Sequence, residues 1–290
     1  MGKQERALKV VSLIPSVTDS IFTLGFGDRL VGVTDFCPIR KEHAEHIIRV
    51  GGPKSVSVEN ILYLSPDLVI TNKEENSREQ VEALSDNALE VWVSTPASIR
   101  EGIDFLWELV RRLGGESRVV LGQIRSLEQL WETTGRSASH ATRMPVFCPI
   151  WFEHDQSLGS WWMTFNNETY CHDVLTICGG RNVFSQRKRM YPLEADLGFS
   201  QPEEYRGRDT RYPRVTAQEI VQKNPQVIIL PDDPYNFSKQ DQQVLLDAVS
   251  MTDAVINNRV FQIDGTWISW YGTRTARALV ELPAFLNHMP

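Results

Sequence analysis

Two stretches far apart in this chain carry the same spacing of apolar and polar positions. Residues 56–70 read VSVENILYLSPDLVI and residues 215–229 read VTAQEIVQKNPQVII. Each places Val first, Ser or Thr second, Glu or Gln two residues later, Ile sixth and Pro eleventh, before a closing apolar run. The hydroxyl of Ser57 or Thr216 is placed to cap a helix start. Two helical turns follow. Pro66 or Pro225 then ends the helix, because it has no N–H and forces the residue before it to be extended. The apolar run predicts a short buried strand. A unit that occurs twice predicts two similar lobes, and a cleft between lobes is a usual place for a ligand.

The rest of the pattern alternates between periods of two and of 3.6. A strand over Lys9–Ile14 runs into Ser16 and Asp19, a capping-box-like pair, with Val17, Ile21 and Leu24 as the stripe of a helix. Strands follow at Leu30–Val33, Leu68–Ile70 and Leu89–Val93, with a helix over Arg78–Leu84. The stretch from Ser98 to about Ser137 contains no strand. Ile99, Ile103, Leu106, Val110 and Leu113 recur at helical spacing, and the stripe resumes after Gly114-Gly115 with Val120, Ile124, Leu127 and Trp131. Strands then recur at Pro145–Ile150, Val227–Leu230 and Val260–Ile263, with helices over Thr169–Ile177 and Thr273–Leu286. Between them lie a ring-rich loop after residue 150 and an Arg-rich loop over 185–214. The reading is α/β, with two similar lobes, each with a mostly parallel sheet, joined by a long bridging helix. The boundaries are 1–97 for the N-terminal lobe, 98–137 for the helical bridge and 138–290 for the C-terminal lobe.

Composition narrows the function. The chain has 290 residues, 41% of them hydrophobic, enough for one large or two ordinary domains. A net charge of -7, with no Lys/Arg block interleaved with aromatics, argues against a nucleic-acid partner. No window reaches the roughly 18 apolar residues of a membrane span. The N-terminal MGKQERALKVV has no apolar signal core. The expected compartment is therefore the cytoplasm as written, or the periplasm or cell exterior if a signal has been trimmed. Cys37, Cys148, Cys171 and Cys178 lack CxxC spacing and are expected to be free.

VVSLIPSVTDSIFTLGFGDRLVGVT, VSVENILYLSPDLVI, HDVLTICGGRNVF and VTAQEIVQKNPQVII occur here in one order. In that order and spacing the chain resembles the helical-backbone (class III) substrate-binding proteins of ABC importers, from about Lys9 to Leu286. These are receptors for cobalamin, haem and iron–siderophore complexes, and the vitamin B12-binding members serve as the comparison. The resemblance implies two lobes, one long helix joining them, and a ligand held by loops at the carboxyl ends of the strands. That placement also follows from the general rule for open α/β sheets.

Rings are the strongest chemical signal. Five of the eight tryptophans (Trp151, Trp161, Trp162, Trp267 and Trp270) fall in second-lobe loops expected at strand ends. Flat apolar ligands bind well to such surfaces, since each ring offers large area at little entropic cost. Trp151, Phe152, Trp162, Trp267, Trp270 and Tyr271 are the candidate contacts. The bland alternative is that several of them fill the core. The resemblance adds Phe36 and Tyr212 as matching ring positions of the B12-binding members. It also implies departures: Asn72 stands where the B12 receptor carries a tryptophan, and Thr266 and Trp270 stand where it carries an aspartate and an arginine. Relatives dock on their permease through one glutamate per lobe. The aligned positions here are Arg78 and Gln218, with Glu79 and Glu219 one residue later, a turn of roughly 100°.

Other chemistries are weaker. Glu153-His154-Asp155, His172 and Cys37 are the residues from which a metal site would have to be drawn, and no metal is expected. Asp232-Asp233, after a strand, lack a partner base or nucleophile; there is no Walker A loop, GxSxG elbow or HExxH. No catalytic residue is expected. Arg187, Lys188, Arg189, Arg206, Arg208, Arg211 and Arg214 crowd one region, either to bind carboxylates or phosphates or as a solvated, salt-bridged loop. The expectation is a non-catalytic, monomeric protein with no intrinsic cofactor. It would capture a bulky ligand in the cleft between lobes, a corrinoid (cobalamin) first and otherwise a ferric siderophore, haem or another organic ligand, with an ABC permease as a further possible partner.

Overall fold

The computed structural model describes residues 8–139, 142–204 and 207–287. They fall into two compact units. The first takes the chain up to Pro96, then Arg100–Glu128 and Tyr271–Arg274. Its elements are β1 (Val10–Ser12), α1 (Pro15–Thr23), β2 (Leu30–Val33), β3 (Ile48–Arg49), β4 (Gly51–Gly52), β5 (Ser55–Val56), α2 (Val58–Leu64), β6 (Leu68–Thr71), α3 (Arg78–Asp86), β7 (Val91–Val93), α4 (Ile99–Leu113) and the start of α5 (Arg118–Ser139).

Five strands form a parallel sheet in the order β3-β2-β1-β6-β7. The strand expected over Lys9–Ile14 is shorter as a ladder, although the Leu13 amide still donates to the Ile70 carbonyl at 2.9 Å. Val11, Leu13, Val50, Val56, Ile61, Val69 and Leu84 pack into the core of this unit. The helical stretch after Ser98 is two helices, not one. Gly114 at φ +64 breaks it, because that left-handed backbone favours glycine. The 22-residue α5 gives residues 118–128 to the first unit and 129–139 to the second.

The second unit continues with β8 (Met144–Phe147), β9 (Trp151–Asp155), β10 (Gly159–Met163), α6 (Tyr170–Ile177), β11 (Gly180–Asn182), α7 (Leu193–Asp196), β12 (Arg214–Thr216), α8 (Ala217–Lys223), β13 (Val227–Pro231), α9 (Lys239–Ala248), α10 (Asp253–Ile256), β14 (Val260–Ile263), α11 (Thr266–Ser269) and α12 (Thr275–Asn287). Its main sheet is parallel, in the order β11-β8-β13-β14. A second sheet, β12-β10-β9, is antiparallel. The ring-rich stretch expected as a loop is therefore mostly a hairpin. Alternation sets its two faces: Phe152, Trp162 and Val215 point into a core with Phe147, Phe184, Ile228, Leu230 and Phe237.

The repeated unit folds alike in both copies. Ser57 accepts from the Asn60 amide at 3.1 Å, and Thr216 from the Glu219 amide at 3.3 Å. Each helix ends on a left-handed residue just before its proline, Ser65 at φ 48 and Asn224 at φ 42. The strands β6 and β13 follow, buried along their whole length. Local hydrogen bonds three residues apart explain why this unit was legible without tertiary information.

Candidate ligand-binding site

In a parallel sheet with short helical crossovers, the loops at the strand carboxyl ends are free of the packing that the helices impose, so they carry function. In the second unit these loops follow β8, β13 and β14. Trp151 follows β8 and remains 39% exposed. Its ring lies 5.0 Å from that of Tyr235, in the loop after β13, and Tyr235 packs edge-on against the buried Phe237 at 4.9 Å. The Tyr235 hydroxyl donates to Asp241 at 3.2 Å, and burial pushes its phenol up, with the nearby carboxylate adding to the effect.

The loops after β13 and β14 are tied together. The Gly265 amide donates to Asp232 at 2.7 Å. Asp233 accepts from the Trp270 indole at 3.1 Å and from the Ser269 hydroxyl at 3.0 Å. A Cβ on Gly265 would collide with the Asp233 backbone, so glycine is required for this approach. Asp232 thus ties the two loops together, and Asp233 holds a half-buried ring in place. Trp267 is also half-buried, with the Arg277 guanidinium 5.9 Å from its ring centre. The Thr266 hydroxyl is turned inward onto Asp264. Tyr212 is half-buried, with Arg211 over its face at 5.2 Å.

Four of the candidate positions, Trp162, Phe152, Asn72 and Tyr271, are buried. Trp162, at 0% exposure, and Phe152 are core residues, stacked on each other with centroids 5.5 Å apart. Neither presents a face to a ligand, because hairpin register points both inward. Asn72, 3% exposed, closes the turn after β6: its Oδ1 accepts from the amides of Glu74 and Glu75. Tyr271 is buried in the first unit, edge-on to Phe105 at 5.4 Å and beside Asn72 and Ser94. Phe36, in the loop after β2, is 73% exposed.

The two acids expected to meet a permease differ. Glu79 is exposed on the first turn of α3, and hydrogen bonds to its own amide and to Ser77 hold its carboxyl down. Glu219 is partly exposed but engaged, accepting from the Thr216 amide at 3.0 Å and from the Arg187 guanidinium at 3.0 Å.

Among the described residues, no group of three or more His, Cys, Asp or Glu is arranged to hold a metal ion. Glu153 and His154 sit on opposite faces of β9, and Asp155 is taken up by the hairpin turn, accepting from the Ser157 hydroxyl at 2.6 Å. All four cysteines are free and buried. Arg187 is neither a surface charge nor a free anion hook. It pairs with the fully buried Asp196 at 2.9 Å as well as with Glu219. Arg208 and Arg211 pair with Glu203 and Asp209.

Sequence reasoning missed Tyr235 and the role of Asp233. Both lie within six residues of the end of the apolar run 227–230, so position after a predicted strand was the available signal.

The family model described as periplasmic binding protein matches residues 10–266. The chain is 22% identical to the vitamin B12-binding protein of Vibrio parahaemolyticus serotype O3:K6 over 274 residues, 94% of this chain and 87% of that one. It is 22% identical to an ABC transporter substrate-binding lipoprotein of Bacillus subtilis strain 168 over 281 residues, 94% of this chain and 78% of that one. Its fold is similar to that of the periplasmic heme-binding protein of Roseiflexus sp. RS-1 in apo form. The TM-score there is 0.73 at 19% identity, covering 98% of this chain and 100% of that one.

Proposed function

This chain belongs to the periplasmic binding protein family, and from that premise we propose that it is a non-catalytic receptor for a bulky, flat, cofactor-like ligand, a corrinoid before haem or a ferric siderophore. One observation carries the reading: Trp151 and Trp270 stand at the carboxyl ends of β8 and β14, both anchored to the loop after β13. A ring held by a hydrogen bond loses little freedom when a ligand stacks on it, so its area goes into affinity. Tyr212, Thr266 and Trp267 complete the proposed contacts of this unit. The similarity to a vitamin B12-binding protein supports a corrinoid over the other two ligands.

An ABC permease is the proposed partner, in keeping with the Bacillus relative's description. Glu79 is the docking acid of the first unit. Glu219 is less suited to that role, because docking would have to compete with its bond to Arg187. Whether the protein works inside or outside the cytoplasm follows from whether that permease is engaged.

Calorimetric titration of the purified protein with cyanocobalamin, haem and a ferric siderophore tests the reading. A cyanocobalamin isotherm that weakens by about 1–3 kcal/mol in Trp270→Ala is the expected result, the scale of one lost ring contact. Heatless titrations with all three ligands would refute it.

A further inference from the structure

Five arginines with described side chains lie between residues 187 and 214, and the structure sorts them into two kinds. Arg187, Arg208 and Arg211 each meet a carboxylate. Arg189 and Arg214 do not. The Nε–H of each is shielded from solvent and meets no acceptor among the described residues. Each guanidinium lies instead over a ring, Arg189 over Tyr191 at 4.3 Å and Arg214 over Trp161 at 5.8 Å. The carboxylates that act on them from nearby are already taken: Asp196 by Arg187 and Asp209 by Arg211.

The backbone brings these two cations near each other, since the Asp196 carboxylate accepts from the amides of Met190 at 2.9 Å and Arg214 at 2.8 Å, and their like charges repel. Burial, and then the charge of Arg189, bring the Arg214 guanidinium down to about 10. Two half-buried like charges with unused donors are a costly arrangement for a fold to keep. The same arrangement is complementary to an oxyanion, since a guanidinium fork matches carboxylate and phosphate oxygens.

The strand register says what else such an anion would be attached to. Met163 of β10 pairs with Arg214 of β12 on one side and Trp151 of β9 on the other. Residues paired directly across strands share a face. Arg214 and Trp151 therefore stand on the same face of this sheet, two strand spacings or about 10 Å apart. The opposite face is the one packed on the core, through Phe152, Trp162 and Val215.

We propose that Arg189 and Arg214 form an oxyanion-binding site, and that it takes a phosphate or carboxylate carried by the same molecule whose flat body rests on Trp151. The second half of this statement rests on the receptor reading above; the first half does not.

The test starts with the full chain labelled at arginine Nε, titrated with sodium phosphate and, in parallel, with sodium acetate at constant ionic strength. The Nε–H resonances of Arg189 and Arg214 are expected to move along one saturating curve with at least one of these anions. Those of Arg112, paired with Glu90 and Glu108, should stay still. Phosphate against acetate identifies the oxyanion. Arg189→Gln and Arg214→Gln should each weaken the response about tenfold or more. Flat titrations with both anions, or shifts shared equally by Arg112, would overturn the site without any variant being needed.

The second arm measures haem, cyanocobalamin and ferric siderophore affinity in wild type, Arg189→Gln and Trp151→Ala. A ligand that binds wild type and weakens about tenfold in both Arg189→Gln and Trp151→Ala supports the shared-molecule assignment. Binding equal to wild type in either variant overturns it. If phosphate or acetate saturates the site but haem, cyanocobalamin and a ferric siderophore all fail to bind wild type, the receptor reading and the shared-molecule assignment fail while the oxyanion site stands.

Discussion

Replacing Arg187 by methionine should be among the most damaging single changes in the second unit. Its guanidinium bonds the Asp196 carboxylate at 2.9 Å, the Asp196 carbonyl, the Lys188 carbonyl and Glu219 at 3.0 Å. Asp196 is fully buried, so without Arg187 its charge keeps only the amides of Met190 at 2.9 Å and Arg214 at 2.8 Å. Breaking a buried pair by removing one partner costs about 3–5 kcal/mol. The Glu219 contact, on a partly exposed carboxylate, contributes at most about 1 kcal/mol of that. The double variant Arg187→Met, Asp196→Leu buries no lone charge and should recover most of the loss. Urea unfolding followed by tryptophan fluorescence at neutral pH reads these differences from the midpoint at constant slope. The pH dependence has a definite sign. Burial already pushes the Asp196 carboxyl up, and losing Arg187 removes a pull in the other direction. The raised carboxyl destabilises the fold only when ionised, so the penalty in Arg187→Met is largest at neutral pH and shrinks as the solution is acidified. A loss below about 1 kcal/mol, or a double variant no better than the single, would refute the reasoning.

Trp162→Ala should cost about 3–5 kcal/mol of stability in the same assay, as a large side chain removed from a closed core; an unchanged midpoint would mean the indole is not packed as described. Gly265→Ala should abolish the 2.7 Å bond to Asp232 and lower ligand affinity more than stability, measured by calorimetry beside urea unfolding; equal affinity would mean the loops after β13 and β14 need not be tied. His172 is held low, first by burial and then by Arg143, against the pull of Asp173. The unfolded chain therefore takes up its proton first, and stability should fall as pH drops through the ordinary histidine value of about 6.5. His172→Asn should flatten that part of the stability profile between pH 7.5 and 5.5, and an identical slope in both proteins would exclude His172 as its source.

How far the chain could be read in advance depended on how far apart the deciding contacts lie. The paired units at 56–70 and 215–229 were legible because a hydroxyl cap and a proline stop act within a few residues. The parallel sheets and the long helix followed from the alternation of apolar periods. The rings were legible as a composition but not as a surface. Trp161 and Trp162 are neighbours in sequence, yet strand alternation sends Trp162 into the core and sets Trp161 under Arg214. The run of arginines likewise gave no sign of which would be paired. Arg187 finds Asp196 nine residues away and Glu219 thirty-two away, leaving Arg189 and Arg214 over rings.

The amino-acid order alone thus determined the elements, their repetition and the α/β class, since these depend on hydrogen bonds and periodicities a few residues long. Which rings face outward, which acid holds Trp270 and which cations keep unused donors were decided only by tertiary structure. Each is set by strand register and by partners tens of residues distant, and a one-residue slip in that register would reverse every face.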